Sequence, residues 1–352
     1  MIIASVAGAH PPHYYSQSEL IAAFQAFWAQ EHHNVGRVAR FHEAVLVGGR
    51  HLALPMERYP LLTGFGESNT AFIEVGTDVA ERALRQALDE AGLLPTDLDA
   101  IFFTTVTGIA APSIDARLVN RVGLRPDIKR TPMFGLGCVA GAAGVARMHD
   151  YLKAYPTHRA ALVSVELCSL TLQRRDLSIP NLVASGLFGD GAAVVIGLGD
   201  EVAGDCAGPR VVASQSRFYP NTEHVMGWDI ADSGFRIVLD AGVPRVAREF
   251  LGGDFTTFAE AQGFSRDDVR AWVCHPGGPK VLEAFEEALG ITRDDLALTW
   301  RTLREVGNLS SASVLLVLRD TLAERRPKAG ELGVMIAMGP GFCSEFVLLQ
   351  FR

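Results

Sequence analysis

"MFGLGCVAGAAG", residues 133–144, sets one cysteine, Cys138, in a run of glycine and alanine. Such a run has two readings: a helix packed so closely that its side chains must be small, or backbone that must approach a reacting group. A second stretch bears on the choice. "GCVAGAAGV" (137–145) stands opposite "GNLSSASVL" (307–315) at an offset of 170 residues, so that Cys138 matches Asn308.

The flanking elements repeat in the same way. "TDVAERALRQALDEAGL" (77–93) has apolar residues at helical spacing, and "LDAIFFTTVTG" (98–108) follows as a buried strand. "VPRVAREFLGGDFTTFAEAQGF" (243–264) and "VRAWVCHPGG" (269–278) repeat that order. Setting Gly92 against Gly263 gives an offset of 171 and brings Thr104 to His275. "ALVSVE" (161–166) meets "GVMIAM" (333–338) at 172, whereas "FGDGAAVVIG" (188–197) meets "MGPGFCSEFV" (338–347) at only about 150. The first half therefore carries about 20 extra residues near 167–187. The pattern predicts an α/β fold of two homologous halves, 1–200 with the cysteine and 201–352 with the histidine and asparagine, each with a central helix of small residues.

Composition narrows the function. The chain has 352 residues, 48% hydrophobic and 20% charged, with a net charge of −8. No broad basic excess exists to neutralise phosphates, so nucleic acid is not an expected partner. Five widely spaced cysteines without a CxxC pair predict reduced thiols, hence a cytoplasmic location. The N-terminus lacks the basic start of a secretory signal, and no apolar run is long enough for a membrane span.

Three side chains stand out for chemistry. Cys138 follows Gly135-Leu136-Gly137 at an expected helix start, where unpaired N–H groups favour a thiolate. His275 ends a strand in "VCHPGGPK", where proline and glycines force a turn. Asn308 precedes the second small-residue helix. Taken singly, these are a core thiol, a turn histidine and an N-cap; the repeat is what gathers them. Papain-like hydrolases share the order Cys, His, Asn, but their sequence context around the cysteine is absent.

The strings "GCVAGAAG", "LFGDGAA", "HPGGPK", "GNLSSAS" and "MGPG" resemble those of type III polyketide synthases, the chalcone synthase-like branch of the thiolase superfamily. The resemblance runs from "ALPMERYP" (53–60) to the C-terminus. Residues 105–130 are more similar to bacterial members, including alkylpyrone and alkylresorcinol synthases, than to plant ones. It implies a thiolase-like αβαβα sandwich, a homodimer, and Cys138 as nucleophile with His275 and Asn308 as its polar partners. It further implies acyl-CoA and malonyl-CoA as substrates, decarboxylative Claisen condensation, and no metal or redox cofactor. A ketoacyl-ACP synthase III-like enzyme and a non-catalytic acyl-binding scaffold are the alternatives.

The resemblance also marks a substrate cavity. Phe188 and Phe235 match gating positions, and Cys168, Thr171, Ser310, Met338, Gly339, Pro340 and Ala111 match lining positions. Glu166 is expected in a hydrogen-bond network near the cysteine. Arg50, with Arg37 or Arg40, is expected to meet CoA phosphates. Met338 replaces a phenylalanine of the plant GFGPG loop, and Ala111 a methionine that reaches across the plant dimer. The small residues Ala110, Ala111 and Cys168 suggest a roomy tunnel for a fatty acyl starter, closing to a pyrone or resorcinol.

Overall fold

The computed structural model describes residues 1–29, 36–325 and 327–352. Nine strands form one mixed sheet: β1 (Ile2–Ala9), β2 (Ala100–Thr105), β3 (Lys129–Phe134), β4 (Arg159–Leu167), β5 (Asp190–Leu198), β6 (Arg210–Phe218), β7 (Val269–Cys274), β8 (Leu332–Gly339) and β9 (Cys343–Gln350). Their spatial order is β7-β8-β9-β6-β1-β5-β4-β2-β3. In each half a parallel pair leads to an antiparallel neighbour. β2 and β4 run parallel and β4 meets β5 antiparallel; β7 and β8 run parallel and β8 meets β9 antiparallel. The halves join where Ile2 of β1 pairs with both Leu198 and Arg210.

Eight helices bear on the site: α1 (Gln17–Trp28), α2 (Gly36–Ala44), α3 (Phe65–Ala91), α4 (Ala140–Ala154), α5 (Ile179–Leu187), α6 (Val243–Gln262), α7 (Pro279–Leu289) and α8 (Ser311–Asp320). Alternation along the strands sorts their side chains into layers. Ile101 and Phe103 of β2 pack with Val79, Ala83 and Leu84 of α3 on one outer face. Ala100 and Phe102 point the other way, into a cluster holding Ala142, Val145 and Ala146 of α4 and Val314 and Leu315 of α8. Met335 of β8 and Val347 of β9 enter that central cluster from the other half. Val334, Ile336 and Phe346 face outward to Phe255 and Phe258 of α6 and Phe285 of α7. The continuous sheet thus supplies two layers, one from each half, on either side of the central helix pair, giving the expected αβαβα sandwich of two pseudo-symmetric halves.

The paired glycines Gly92 and Gly263 both cap their helices in the left-handed conformation, with φ of 66° and 73°. At the centre, a Cβ added to Gly141 would run into the Ser311 carbonyl and Val314 Cγ1. The small residues of 137–145 are thus required where α4 crosses α8. No helix among the described residues is long and apolar enough to cross a membrane.

Candidate active site

β3 ends at Phe134, and the chain turns through Gly135 and Leu136 into a single 3-10 turn, Gly137–Val139, that runs into α4. Cys138 sits in that turn and is 6% exposed. Gly137 has φ +58°, and a Cβ there would come 2.7 Å from Pro340 Cδ. A Cβ on Gly339 would likewise come 2.6 Å from the Val139 nitrogen. The Gly339-Pro340-Gly341 turn after β8 therefore lies directly on the cysteine turn.

From Cys138 a chain of contacts crosses the pseudo-symmetric centre. Its Sγ donates to Ser310 Oγ at 3.6 Å. Ser310, just ahead of α8, has φ +46°, a backbone state costing about 1–3 kcal/mol for a residue with a Cβ. Its N–H donates to Asn308 Oδ1 at 2.8 Å, which identifies the amide oxygen and leaves Nδ2 as donor. Asn308 Nδ2 reaches the Gly277 carbonyl at 3.4 Å, and the Gly277 N–H donates to the His275 carbonyl at 2.9 Å. His275 follows β7, held by its own N–H on the Ile336 carbonyl at 2.9 Å. The fold thus gathers Cys138, Ser310, Asn308 and the turn carrying His275. Both ring nitrogens of His275 lack a hydrogen-bond partner among the described residues, although the ring is buried.

Burial works against charge on the first and last of these groups. It pushes the Cys138 thiol up to about 12, opposed by the Ser310 hydrogen bond. Desolvation pulls the His275 imidazole down to about 3. The helix start is expected to favour a thiolate; burial of both groups opposes it.

Glu166, at the end of β4, is fully buried beneath this group. Its Oε2 accepts from the Val106 N–H at 3.1 Å and Thr107 Oγ1 at 2.9 Å, and its Oε1 accepts from Ser311 Oγ. Ser311 Oγ also meets Ser164 Oγ at 2.8 Å. Desolvation raises the Glu166 carboxyl above its usual range. The expected network is present, with Thr105, Thr107, Ser164 and Ser311 as members the sequence did not single out.

A cavity of about 120 Å³ opens between α1, residues 50–60 and the segment 168–188. Cys168, Thr171 and Phe188 line it as expected. All three belong to or border the extra segment of the first half, which also supplies Ser169, Leu172, Asn181, Ala184 and Ser185. Phe188 forms a parallel bridge with Asn308, so the cavity wall and the polar site share backbone. Phe235 is buried in a cluster with Phe65, Phe134 and Trp228; of these rings Trp228 reaches the cavity. Met338 is buried against the outer face of its half.

One expectation is corrected. Arg50 is not a surface phosphate ligand: it is 2% exposed, lines the cavity, and its Nη1 donates to Gln17 Oε1 and the Gly186 carbonyl, each at 2.7 Å. Ala111 does not line the cavity of its own chain; it is exposed on the loop after β2, beside the half-buried Ala110. Arg37 and Arg40 lie on α2 with their guanidinium groups over the Phe41 ring. One wall went unread: Leu20, Ala23, Phe24 and Phe27 of α1 face the cavity at helical spacing.

Comparison with known proteins places this geometry. Residues 2–201 match the N-terminal domain of chalcone and stilbene synthases, and residues 210–351 match the C-terminal domain. The chain is 52% identical over 350 residues to 1,3,6,8-tetrahydroxynaphthalene synthase of Streptomyces peucetius, covering 99% of this chain and 93% of that one. The enzyme of the same name from Streptomyces coelicolor is 33% identical over 320 residues, covering 90% and 84%. The crystal structure of a Streptomyces coelicolor A3(2) 1,3,6,8-tetrahydroxynaphthalene synthase superposes with a TM-score of 0.94 at 30% identity, covering 100% and 99%. The chain therefore belongs to the chalcone and stilbene synthase family and is a type III polyketide synthase, an acyltransferase acting by malonyl-CoA condensation.

Proposed function

We propose that the protein makes 1,3,6,8-tetrahydroxynaphthalene, with malonyl-CoA as both starter and extender. The observation that carries this reading is the 52% identity, over nearly the whole chain, to an enzyme of that name. The carbon count agrees: five malonyl-CoA give the ten-carbon product, five CO2, five CoA and one water.

In the proposed mechanism Cys138 attacks the starter thioester while His275 accepts its proton, and CoA leaves as the thiol. Two buried neutral groups become charged only together, which confines the thiolate to the moment of attack. The extender malonyl-CoA then loses CO2, and the electron pair of the broken C–C bond moves onto the thioester as an enolate. His275 and Asn308 Nδ2 donate to that oxygen, an oxyanion hole supported by the unpartnered imidazole and the fixed amide. The enolate carbon attacks the Cys138 thioester, freeing the sulfur to receive the longer chain. The neutral resting imidazole suits this donor role. No metal or redox cofactor is required by this chemistry.

A fatty acyl starter closing to a pyrone or resorcinol is the second reading, favoured by the apolar wall of Leu20, Phe24, Phe27, Leu52 and Met56. Incubation with malonyl-CoA alone is expected to give the naphthalene by mass and absorbance. Products only on addition of C8–C16 acyl-CoA would select the second reading. A single condensation demanding malonyl-ACP would sink both.

The two-half organisation, 1–200 and 201–352, is proposed on the matched α4 and α8. A homodimer is proposed from β3, an exposed edge strand with Phe134 half exposed, which is unusual to leave uncovered, and a cytoplasmic location from the five free cysteines. Light scattering is expected to return the mass of two chains.

A further inference from the structure

Arg50 is the one charged residue among the described residues that line the cavity, whose other lining is mainly apolar. A guanidinium has five N–H donors. Nη1 uses two, on Gln17 Oε1 and the Gly186 carbonyl, and Nη2 uses one, on the Ser185 carbonyl. Nε has no partner among the described residues, and by count one N–H of Nη2 is also unengaged. No ion pair to Arg50 occurs among the described residues; Asp190 acts on it only as a nearby charge. A buried cation without a contacting anion is costly, and that cost is relieved when a ligand brings the anion.

We propose that Arg50 is a specificity-determining residue that receives the far carboxylate of a dicarboxylic starter through Nε and the remaining N–H of Nη2. The proposal rests on the malonyl-primed reading, because a fatty acyl tail has nothing to offer these donors. A malonyl group loaded intact on Cys138 keeps its second carboxylate. Each condensation then carries that carboxylate two carbons farther from the sulfur. Cys168, Thr171 and Phe188 line the same cavity as Arg50, so a chain that enters it past them shares that space with the guanidinium. Two parallel N–H groups on one carboxylate are the arrangement arginine provides best.

The three engaged N–H groups also tie α5 to α1, a structural role that every starter would share. Starter comparison separates the two roles. The test uses glutaryl-CoA against 5-methylhexanoyl-CoA, in which an isopropyl group replaces the carboxylate, each extended with malonyl-CoA. The wild-type enzyme is expected to favour glutaryl-CoA at least about tenfold in kcat/KM, and R50M to lower that ratio by at least about tenfold. A wild-type ratio at or below one overturns the proposal without any variant, as does an unchanged ratio in R50M. If R50M does not fold, R50Q replaces it, since its amide can still donate to the Ser185 and Gly186 carbonyls; an unchanged ratio there is equally fatal. Absence of naphthalene from malonyl-CoA alone would instead reject the malonyl-primed reading, while the starter ratio still reports on Arg50.

Discussion

The burial that shields Cys138 and His275 from water also disfavours charge on both, pushing the thiol up and the imidazole down. With the thiol at about 12, the thiolate fraction grows tenfold per pH unit through the neutral range. Alkylation of Cys138 by iodoacetamide in the free enzyme is therefore expected to climb steadily from pH 7 to pH 9. A plateau near pH 7, read by peptide mass spectrometry, would show an activated thiolate and contradict this. Asn308→Ala removes one proposed oxyanion donor, so malonyl-CoA decarboxylation is expected to fall by about 10²–10³ while loading of Cys138 persists. Equal loss of loading would mean that the substitution disturbs the cysteine turn instead.

The residues of this site differed in how plainly the sequence announced them. Cys138, His275 and Asn308 stood out because an internal repeat put two helix starts and a strand end in register. Arg50 stood out for the wrong place, because a buried arginine and a surface one look alike until the carbonyls around it are known.

At the scale of elements, the crossing of α4 and α8 decides where Cys138 and Ser310 sit. Gly141→Ala places a methyl against the Ser311 carbonyl, so the helices must part. Overpacking of this kind costs about 1–3 kcal/mol, and the thermal midpoint and turnover are expected to drop together. An unchanged midpoint would show that the crossing can yield. Helix α3 and strand β2, with α6 and β7 that repeat them, were legible from periodicity, and the left-handed caps at Gly92 and Gly263 explain why aligning those glycines worked. The α1 wall was legible too, in the spacing of Leu20, Ala23, Phe24 and Phe27, yet its partner surface is formed by residues far along the chain.

Across the described residues, desolvation disfavours the imidazolium form of four histidines, and nearby cations add to it at His10, His42 and His149. Burial pulls His42 and His275 down to about 3, and His10 and His149 to about 4. The unfolded chain takes these protons near 6.5, where the folded chain refuses them, so stability is lost as pH falls from about 6.5 toward 4. Asp190, raised by burial to about 7, and Glu166 and Glu345, raised by the same cause, work in the opposite direction, but the four histidines outnumber these three acids. The thermal midpoint is expected to be lower at pH 5 than at pH 7, with H42Q showing a shallower decline. A midpoint that rises on acidification would overturn this balance.

The bridge between Phe188 and Asn308 has a bearing on redesign. The Asn308 N–H donates to the Leu187 carbonyl at 2.9 Å, and the Gly189 N–H donates to the Asn308 carbonyl at 3.0 Å. Substitutions on α5 that shift its end to admit bulkier starters will drag the asparagine with them. Carving space from α1, as with Phe24→Ala, leaves that seam alone. Breadth of substrate and speed of turnover are in tension on one wall of this enzyme and independent on the other, so a directed-evolution library belongs on α1.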